Sequence, residues 1–530
     1  MGVSNKNRCN SYDVFDTLLG RWYFTPASIF QEIEQKTGFV NFTRYRKRAE
    51  RAAQGRSFQE IYAAFQKLTQ CSDERLAELR KLELLIESKR LFPMGKYVKD
   101  LHPSDVAISD MYLSKSVIGY LLKKNNIHFQ KEHLYVYHDG KSSGHVYPLV
   151  REIHDICCHT GDNIYSDIER AVTQQINTQL CNHHFTGLER EIINHGFSDI
   201  ALLSRVLRLY GSQHSSNLAD IWRESAELTV PVLILMAMAI RQLSLKNKFR
   251  YLLFNQRDCC HLLKIYKALY PDCRNAKAFY GSRRCFYTAS STFVDYAKKN
   301  LEGSLMIDLA MSGQSALYFN EKTGINFEIF TLFLHKAYFN IAKRQRAKIK
   351  LQCLINHIHH RAICDFELLN LDLQGSIIDY TDRAIRAPLE YSRKDVRITH
   401  QVVDKAVELI RKGFHLPSVQ HAQPYRKIQR LLVILGKYAH YVPCDVHTKG
   451  RIENSDNYSN SIAMGRGLDH TLNKLAYYFY YAGVRSWIDR RIIKKIKFNT
   501  HNITASGTLK IRYKRCERKR MQILANKSKR

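Results

Sequence analysis

The chain has 530 residues, of which 45% are hydrophobic and 25% charged. That composition excludes an extended disordered polymer and leaves room for a sizeable core in roughly two to four domains. A net charge of +33 points to anionic partners: nucleic acid, anionic lipid headgroups or phosphorylated small substrates.

The 13 cysteines are scattered singly, apart from Cys157-Cys158 and Cys259-Cys260. No Cys-x-x-Cys occurs, so the usual zinc-site spacing is missing. An odd count without a secretory signal fits reduced thiols in a cytoplasmic protein. The longest apolar run, 230–240, falls short of the about 20 residues that span a bilayer and reads as a buried helix. The chain is expected to be soluble, or peripheral at a membrane.

From 10 to about 190, short apolar strands alternate with helical stretches. Candidate strands are 12–15, 105–108, 134–137, 157–160 and 177–181. Helical patterns cover 116–124 and 147–154. Such alternation predicts a parallel sheet with helices on both faces. A helical insert, about 26–90, follows the first strand. Its apolar residues Ile29, Phe30, Ile33, Leu79, Leu82 and Ile86 recur at helical spacing. An insert there sits over the strand's C-terminal end, where α/β sheets bind ligands.

Four segments of this block end strands with polar residues. They are Asp13 with Asp16-Thr17, then Ser109-Asp110, then Lys141, then Gly161-Asp162 with Asp167. Alone, each is an ordinary turn, cap or solvated side chain. Together, in order and each after a strand, they converge on one sheet edge. The chemistry explains the set. A carboxylate, Asp13, can attack phosphorus and form an aspartyl-phosphate. The phosphate dianion repels it, so positive charge must neutralise both. Mg2+ does so through hard oxygen ligands, here Asp13, Asp162 and Asp167. Lys141 would hold the transferring oxygens, and Ser109 would donate a hydrogen bond to phosphate.

These segments resemble the four motifs of the haloacid dehalogenase (HAD) superfamily over about 10–185. The N-terminal part is similar to a bacterial subgroup of predicted HAD hydrolases found with surface-polysaccharide genes. The resemblance implies an α/β fold with a Rossmann-like parallel-sheet core, a helical cap, Mg2+ and an aspartyl intermediate. It also implies substrate-phosphate contacts at Thr17, Ser109 and Asp110. The expected activity is a phosphatase acting on a sugar phosphate. One departure stands out: the position two after Asp13, where family phosphatases carry an acid that moves a proton, is Phe15. Asp16, one residue later, is the substitute candidate. The alternative is a HAD-like fold that binds phosphate without turnover.

The second block, 215–400, is expected to form another α/β domain with strands at 250–254, 278–280, 305–308 and 327–334. The loops Asn255-Gln256-Arg257-Asp258 and Asp308 to Ser315 follow two of these strands. The second holds Ser312, Gly313 and Ser315, small residues suited to cradling phosphate at a helix N-terminus. The pair resembles, loosely, a type I phosphoribosyltransferase over about 230–335. That resemblance implies phosphoribosyl pyrophosphate (PRPP) held by Arg257, Asp258, Asp308, Ser312, Gly313 and Ser315, although Ile307 replaces the first of the family's two adjacent acids. Such a step would leave a 5-phosphorylated ribofuranose on a glycan acceptor, from which the first domain would remove the phosphate.

The last block, 401–530, is expected to be basic and mostly helical. From Arg490 to the end about fifteen Lys and Arg face one acid, Glu517. With the aromatic run 477–481 and Trp487, this suits an anionic membrane surface at the inner face of the membrane. Nucleic acid is the weaker candidate, since no nucleic-acid motif accompanies the charge. The expected domains are therefore 1–200 with a cap at about 20–95, then 215–400, then 401–530.

Overall fold

Two wholly parallel five-stranded sheets organise the computed structural model, which describes residues 7–439 apart from 55, 212–215, 257, 312, 336–348, 359–369 and 389–392. The basic aromatic tail, Arg257 and Ser312 lie outside the described residues.

The first 200 residues contain β1 (Asn7–Asp13), β2 (Leu19–Arg21), β3 (Leu91–Pro93), β4 (Val106–Asp110), β5 (Leu134–Tyr137), β6 (His154–Gly161) and β7 (Asn177–Leu180). Five of them form a sheet in the order β5-β4-β1-β6-β7. The order reverses between β1 and β6, so the crevice beyond their C-terminal ends is the ligand position for such a sheet. This is the expected Rossmann-like α/β arrangement. β1 begins earlier than the sequence predicts and stops at Asp13. Residues after it turn sharply, with Leu18 N and Leu19 N both donating to Val14 O at 3.0 and 2.8 Å.

The insert between β2 and β3 folds as helices α1 (Ser28–Thr37), α2 (Phe42–Ala52), α3 (Phe58–Thr69) and α4 (Asp73–Lys89). Its two stems pair antiparallel, Leu19 opposite Pro93 and Arg21 opposite Leu91. Gly20 is needed there, because a Cβ would lie 2.5 Å from the Phe92 ring. Inside the cap, Arg46 is fully buried among Phe30, Tyr62 and Tyr112 and makes two hydrogen bonds to Glu83, at 2.9 and 2.8 Å. The cap is tied to the sheet edge where Phe58 N donates to Tyr112 O at 2.9 Å, just beyond β4.

The apolar run 230–240 belongs to a helix that continues from Leu218 to Lys246 through a π-helical stretch, Ser225–Thr229. This helix is long and apolar enough to cross a bilayer, yet 72% of its most apolar window is buried within the protein. Beyond it come β8 (Leu252–Asn255), β9 (Ala276–Phe279), β10 (Leu305–Met311), β11 (Glu328–His335) and β12 (Lys350–Ile358), ordered β12-β11-β10-β8-β9. Their near-continuous apolar burial is the signature of strands covered on both faces. The helix Arg393–Arg411 crosses the expected boundary at 400 without a break. Its buried Val402, Val403 and Ala406 close the same apolar cluster that joins the cap, the helix Ser198–Tyr210 and the second sheet.

Arg46 also pairs with the partly exposed Glu50 at 2.9 Å, but Glu83 is its one enclosed acid, so removing Glu83 leaves most of the buried guanidinium charge unmet. We expect Glu83→Ala to cost about 3–5 kcal/mol of stability in urea unfolding. The double variant Arg46→Met, Glu83→Leu should recover most of that loss. A single-variant cost below about 1 kcal/mol would show that the pair does not hold the cap.

Candidate functional site

The first sheet brings the four predicted segments to one crevice. Tyr12 pairs with Thr160 and Asp13 with Ile108, so Asp13 stands level with Gly161 and beside Ser109. Asp13 and Lys141 are only 5% and 3% exposed. Lys141 Nζ donates to Asp13 Oδ1 and to Asp167 Oδ1, both at 2.5 Å. Carboxylate oxygens of Asp13, Asp162 and Asp167 lie within 4.8 Å of one another.

Burial and the neighbouring acids decide the charges. Burial pushes the Asp13 carboxyl up, and Lys141 opposes it. Asp162 is pushed up to about 6 by burial, then by Asp16 and Asp167. For Asp167 burial is the largest influence, but Lys141 and His159 outweigh it and hold the carboxylate below its ordinary range. Burial works against the Lys141 ammonium, and Asp13 and Asp167 overcome it and keep it protonated. Three carboxyls thus share one ammonium. An all-oxygen donor set short of positive charge fits a hard divalent cation such as Mg2+.

Each member is held from behind. Asp167 accepts from Asn163 N at 3.0 Å and contacts His159 Nε2 at 3.3 Å. The carboxylate can only accept, so His159 Nε2 carries the proton and Nδ1 accepts from Ser11 Oγ at 2.8 Å. Gly161 is required, since a Cβ there would come within 2.5 Å of Asp167 Oδ2. Asp110 is placed differently from its expected phosphate contact. Its oxygens accept from Lys141 N at 2.8 Å and from Ser142 N and Oγ, both at 3.0 Å. Those bonds commit both oxygens to anchoring the loop that carries Lys141.

Ser109 is buried at the end of β4. Thr17 is also buried, and its hydroxyl has no hydrogen-bond partner among the described residues. Such an orphan hydroxyl, four residues after Asp13, is suited to an anionic oxygen. Phe15 turns into the core, where the Arg21 guanidinium covers its ring at 4.4 Å. Asp16 adopts a left-handed backbone, φ 59°, and pairs with Arg21 at 3.0 Å. It lines a cavity of about 240 Å³ that also meets His183 and Arg205. A larger cavity, about 1050 Å³, opens between the cap and the segment around Lys412 and Ser418, and none of the predicted site residues lines it.

In the second sheet the order reverses between β8 and β10. Asn255 Nδ2 donates to Asp308 Oδ2 there at 3.2 Å, and Leu309 N donates to Asp308 Oδ1 at 2.8 Å. Gly313, at φ 75°, is buried and precedes the helix Gln314–Thr323, on whose first turn Ser315 lies half-buried. Asp258 lies in the turn after β8. Asn255, which the sequence marks only as the first residue of the loop after the expected strand 250–254, is thus the side chain that meets Asp308.

A second group, Cys260, His261 and His400, also offers ligand atoms within 4.8 Å of one another. Its members come from two distant helices, Cys260–Leu269 and Arg393–Arg411. No spacing rule connects them, which is why sequence alone does not reveal the group. Set beside known proteins, the chain matches no protein-family model and no curated protein sequence.

Proposed function

We propose that the first domain is a Mg2+-dependent phosphatase of the HAD type that acts on a sugar phosphate through an aspartyl-phosphate at Asp13. The observation that carries the reading is the buried set Asp13, Lys141, Asp162 and Asp167 at the reversal point of a parallel sheet. Asp13, Asp162 and Asp167 would hold Mg2+, which when bound supplies positive charge to the phosphoryl oxygens.

The chain's own groups account for the rest. A carboxylate oxygen of Asp13 attacks phosphorus in line with the ester oxygen. The P–O bond to the sugar breaks, and the leaving oxygen takes a proton from Asp16, which in this reading must carry it on Oδ1, the oxygen not paired with Arg21. Water then attacks the phosphorus of the aspartyl-phosphate and passes a proton to Asp16, which frees inorganic phosphate and restores both Asp13 and the Asp16 acid. Lys141 stays protonated between Asp13 and Asp167 and stabilises the charge that gathers on the transferring oxygens. The orphan Thr17 hydroxyl and Ser109 are assigned to phosphate oxygens. We further propose, from the motif resemblance, a place in cell-surface polysaccharide biosynthesis and, from the basic C-terminal sequence, a position in the cytoplasm at the membrane's inner face.

A second reading concerns the second domain. The Asn255–Asp308 hydrogen bond lies where a flavodoxin-like strand order reverses, a position that favours a bound phosphate ester. We assign it phosphoribosyl transfer from PRPP to a glycan acceptor, upstream of the phosphatase. Pyrophosphate release from PRPP with a glycan acceptor is the expected result. PRPP left intact with every acceptor would remove this reading.

Phosphate release from a panel of sugar phosphates tests the first reading. Asp13→Asn should lower the rate on the order of 10⁴-fold. Asp16→Asn should lower it about 10²-fold. Asp110→Asn should also cost about 10²-fold, by freeing the Lys141 loop. Equal rates in wild type and Asp13→Asn would refute the assignment.

Metal binding has its own readout. Millimolar Mg2+ should raise the melting temperature of the wild-type protein by selective binding to the folded state. Asp162→Asn should abolish that shift. An undiminished shift in the variant would place the metal elsewhere.

A further inference from the structure

The cavity next to Asp16 contains a charge that the phosphatase chemistry does not use. Arg205 lies on the helix Ser198–Tyr210 and is 6% exposed. One turn further on, Arg208 is fully engaged, with Glu189 at 2.9 Å and Glu227 at 3.1 Å. Arg205 makes no salt bridge, and its Nε has no hydrogen-bond partner, among the described residues. The acid whose charge acts most strongly on Arg205, Asp16, already pairs with Arg21 at 3.0 Å. Burial draws the Arg205 guanidinium down from its ordinary value, and Asp16 only partly opposes this. A guanidinium enclosed without an acceptor is unfavourable unless an anion arrives from outside.

The surroundings suit such an anion. His183 Nδ1 is also buried without a partner, and burial lowers the ring's pKa to about 4, so the imidazole is neutral and able to donate. Phe185 lies under Arg205 at 5.1 Å and stacks on Phe24 at 5.3 Å. That pair gives the cavity an apolar wall. At about 240 Å³ it is smaller than the roughly 300–1,000 Å³ of drug-sized sites and holds one small ring or chain.

We propose that this cavity receives the leaving-group part of the substrate and that Arg205, with His183, binds a second oxyanion on it. The proposal rests on the phosphatase reading for the first phosphate. It narrows the substrate class to phosphate monoesters that carry another anionic group, either a carboxylate or a second phosphate. A planar guanidinium fork suits both, and the aromatic wall would face the carbon skeleton between the two anions.

The test compares glucose 6-phosphate, 6-phosphogluconate and fructose 1,6-bisphosphate in the full chain and in Arg205→Gln and Arg205→Lys. Phosphate release and calorimetric binding of each compound are both measured. For the two doubly anionic compounds, Arg205→Gln should lower kcat/KM and affinity about 30-fold. Glucose 6-phosphate should change less than about threefold, the scale of an indirect effect. Arg205→Lys should retain an intermediate preference, which separates lost charge from a damaged fold. A loss confined to 6-phosphogluconate, or to the bisphosphate, identifies the second anion as carboxylate or phosphate. Equal losses for all three compounds, or no loss for any, would overturn the proposal. If wild type hydrolyses none of them, the phosphatase reading fails on its own. Binding then decides: a preference for the doubly anionic compounds that vanishes in Arg205→Gln supports the anion site, and its absence rejects it.

Discussion

A single buried ammonium, that of Lys141, sits between two carboxylates that would otherwise repel each other at the end of a parallel sheet. Asp13 and Asp167 each approach it at 2.5 Å. Without it, closing β1 against β6 would bring unbalanced negative charge into a dry crevice, at a cost far above what a surface pair incurs. Several neighbours serve that contact. Asp110 fixes the loop that delivers Lys141, His159 and Asn163 fix Asp167, and Gly161 leaves room for Asp167 to approach. The same enclosure keeps Asp162 poised near neutrality, at about 6. One lysine leaves the group electrically incomplete, and incompleteness of this kind suits a centre that takes up a cation and a phosphate together.

Much of this was legible in the sequence because the relevant residues punctuate strands. Gly161-Asp162 and Ser109-Asp110 follow apolar runs, and the runs became β6 and β4. β5 falls on the residues its apolar pattern predicts. β1 was misplaced because its first half, Asn7 to Asn10, carries little apolar signal, although the strand is central. There tertiary pairing with β4 and β6 overrides local composition. The apolar run 230–240 marks only part of the helix Leu218–Lys246, because buried Glu224 and Glu227 interrupt the apolar stretch. Arg208 sits against Glu227 at 3.1 Å, so the interruption is an internal ion pair rather than a helix end.

The role of Asp110 could not be read from spacing. A carboxylate after a strand looks the same whether it faces a ligand or caps a neighbouring loop, and only the loop's return toward β4 decides. Arg205 and His183 were invisible for a similar reason. Neither lies in a motif, and their meaning comes from what they lack, an acceptor, which no sequence pattern records. The cap shows the opposite case. Its helical periodicity predicts a helical insert over about 26–90; the structure divides this into four helices, and the buried Arg46–Glu83 pair fixes how they pack.

The central claim is that Asp13 carries the phosphoryl group. Acid quench of the protein during reaction with a phosphate ester, then reduction with tritiated borohydride, which expels the phosphate and leaves tritiated homoserine in place of the phosphorylated Asp, followed by peptide mass spectrometry, reads this directly. The account predicts label in the peptide containing Asp13, dependent on Mg2+ and absent in Lys141→Met. Phosphate release that proceeds with no label on Asp13, or with label on another residue, would contradict it.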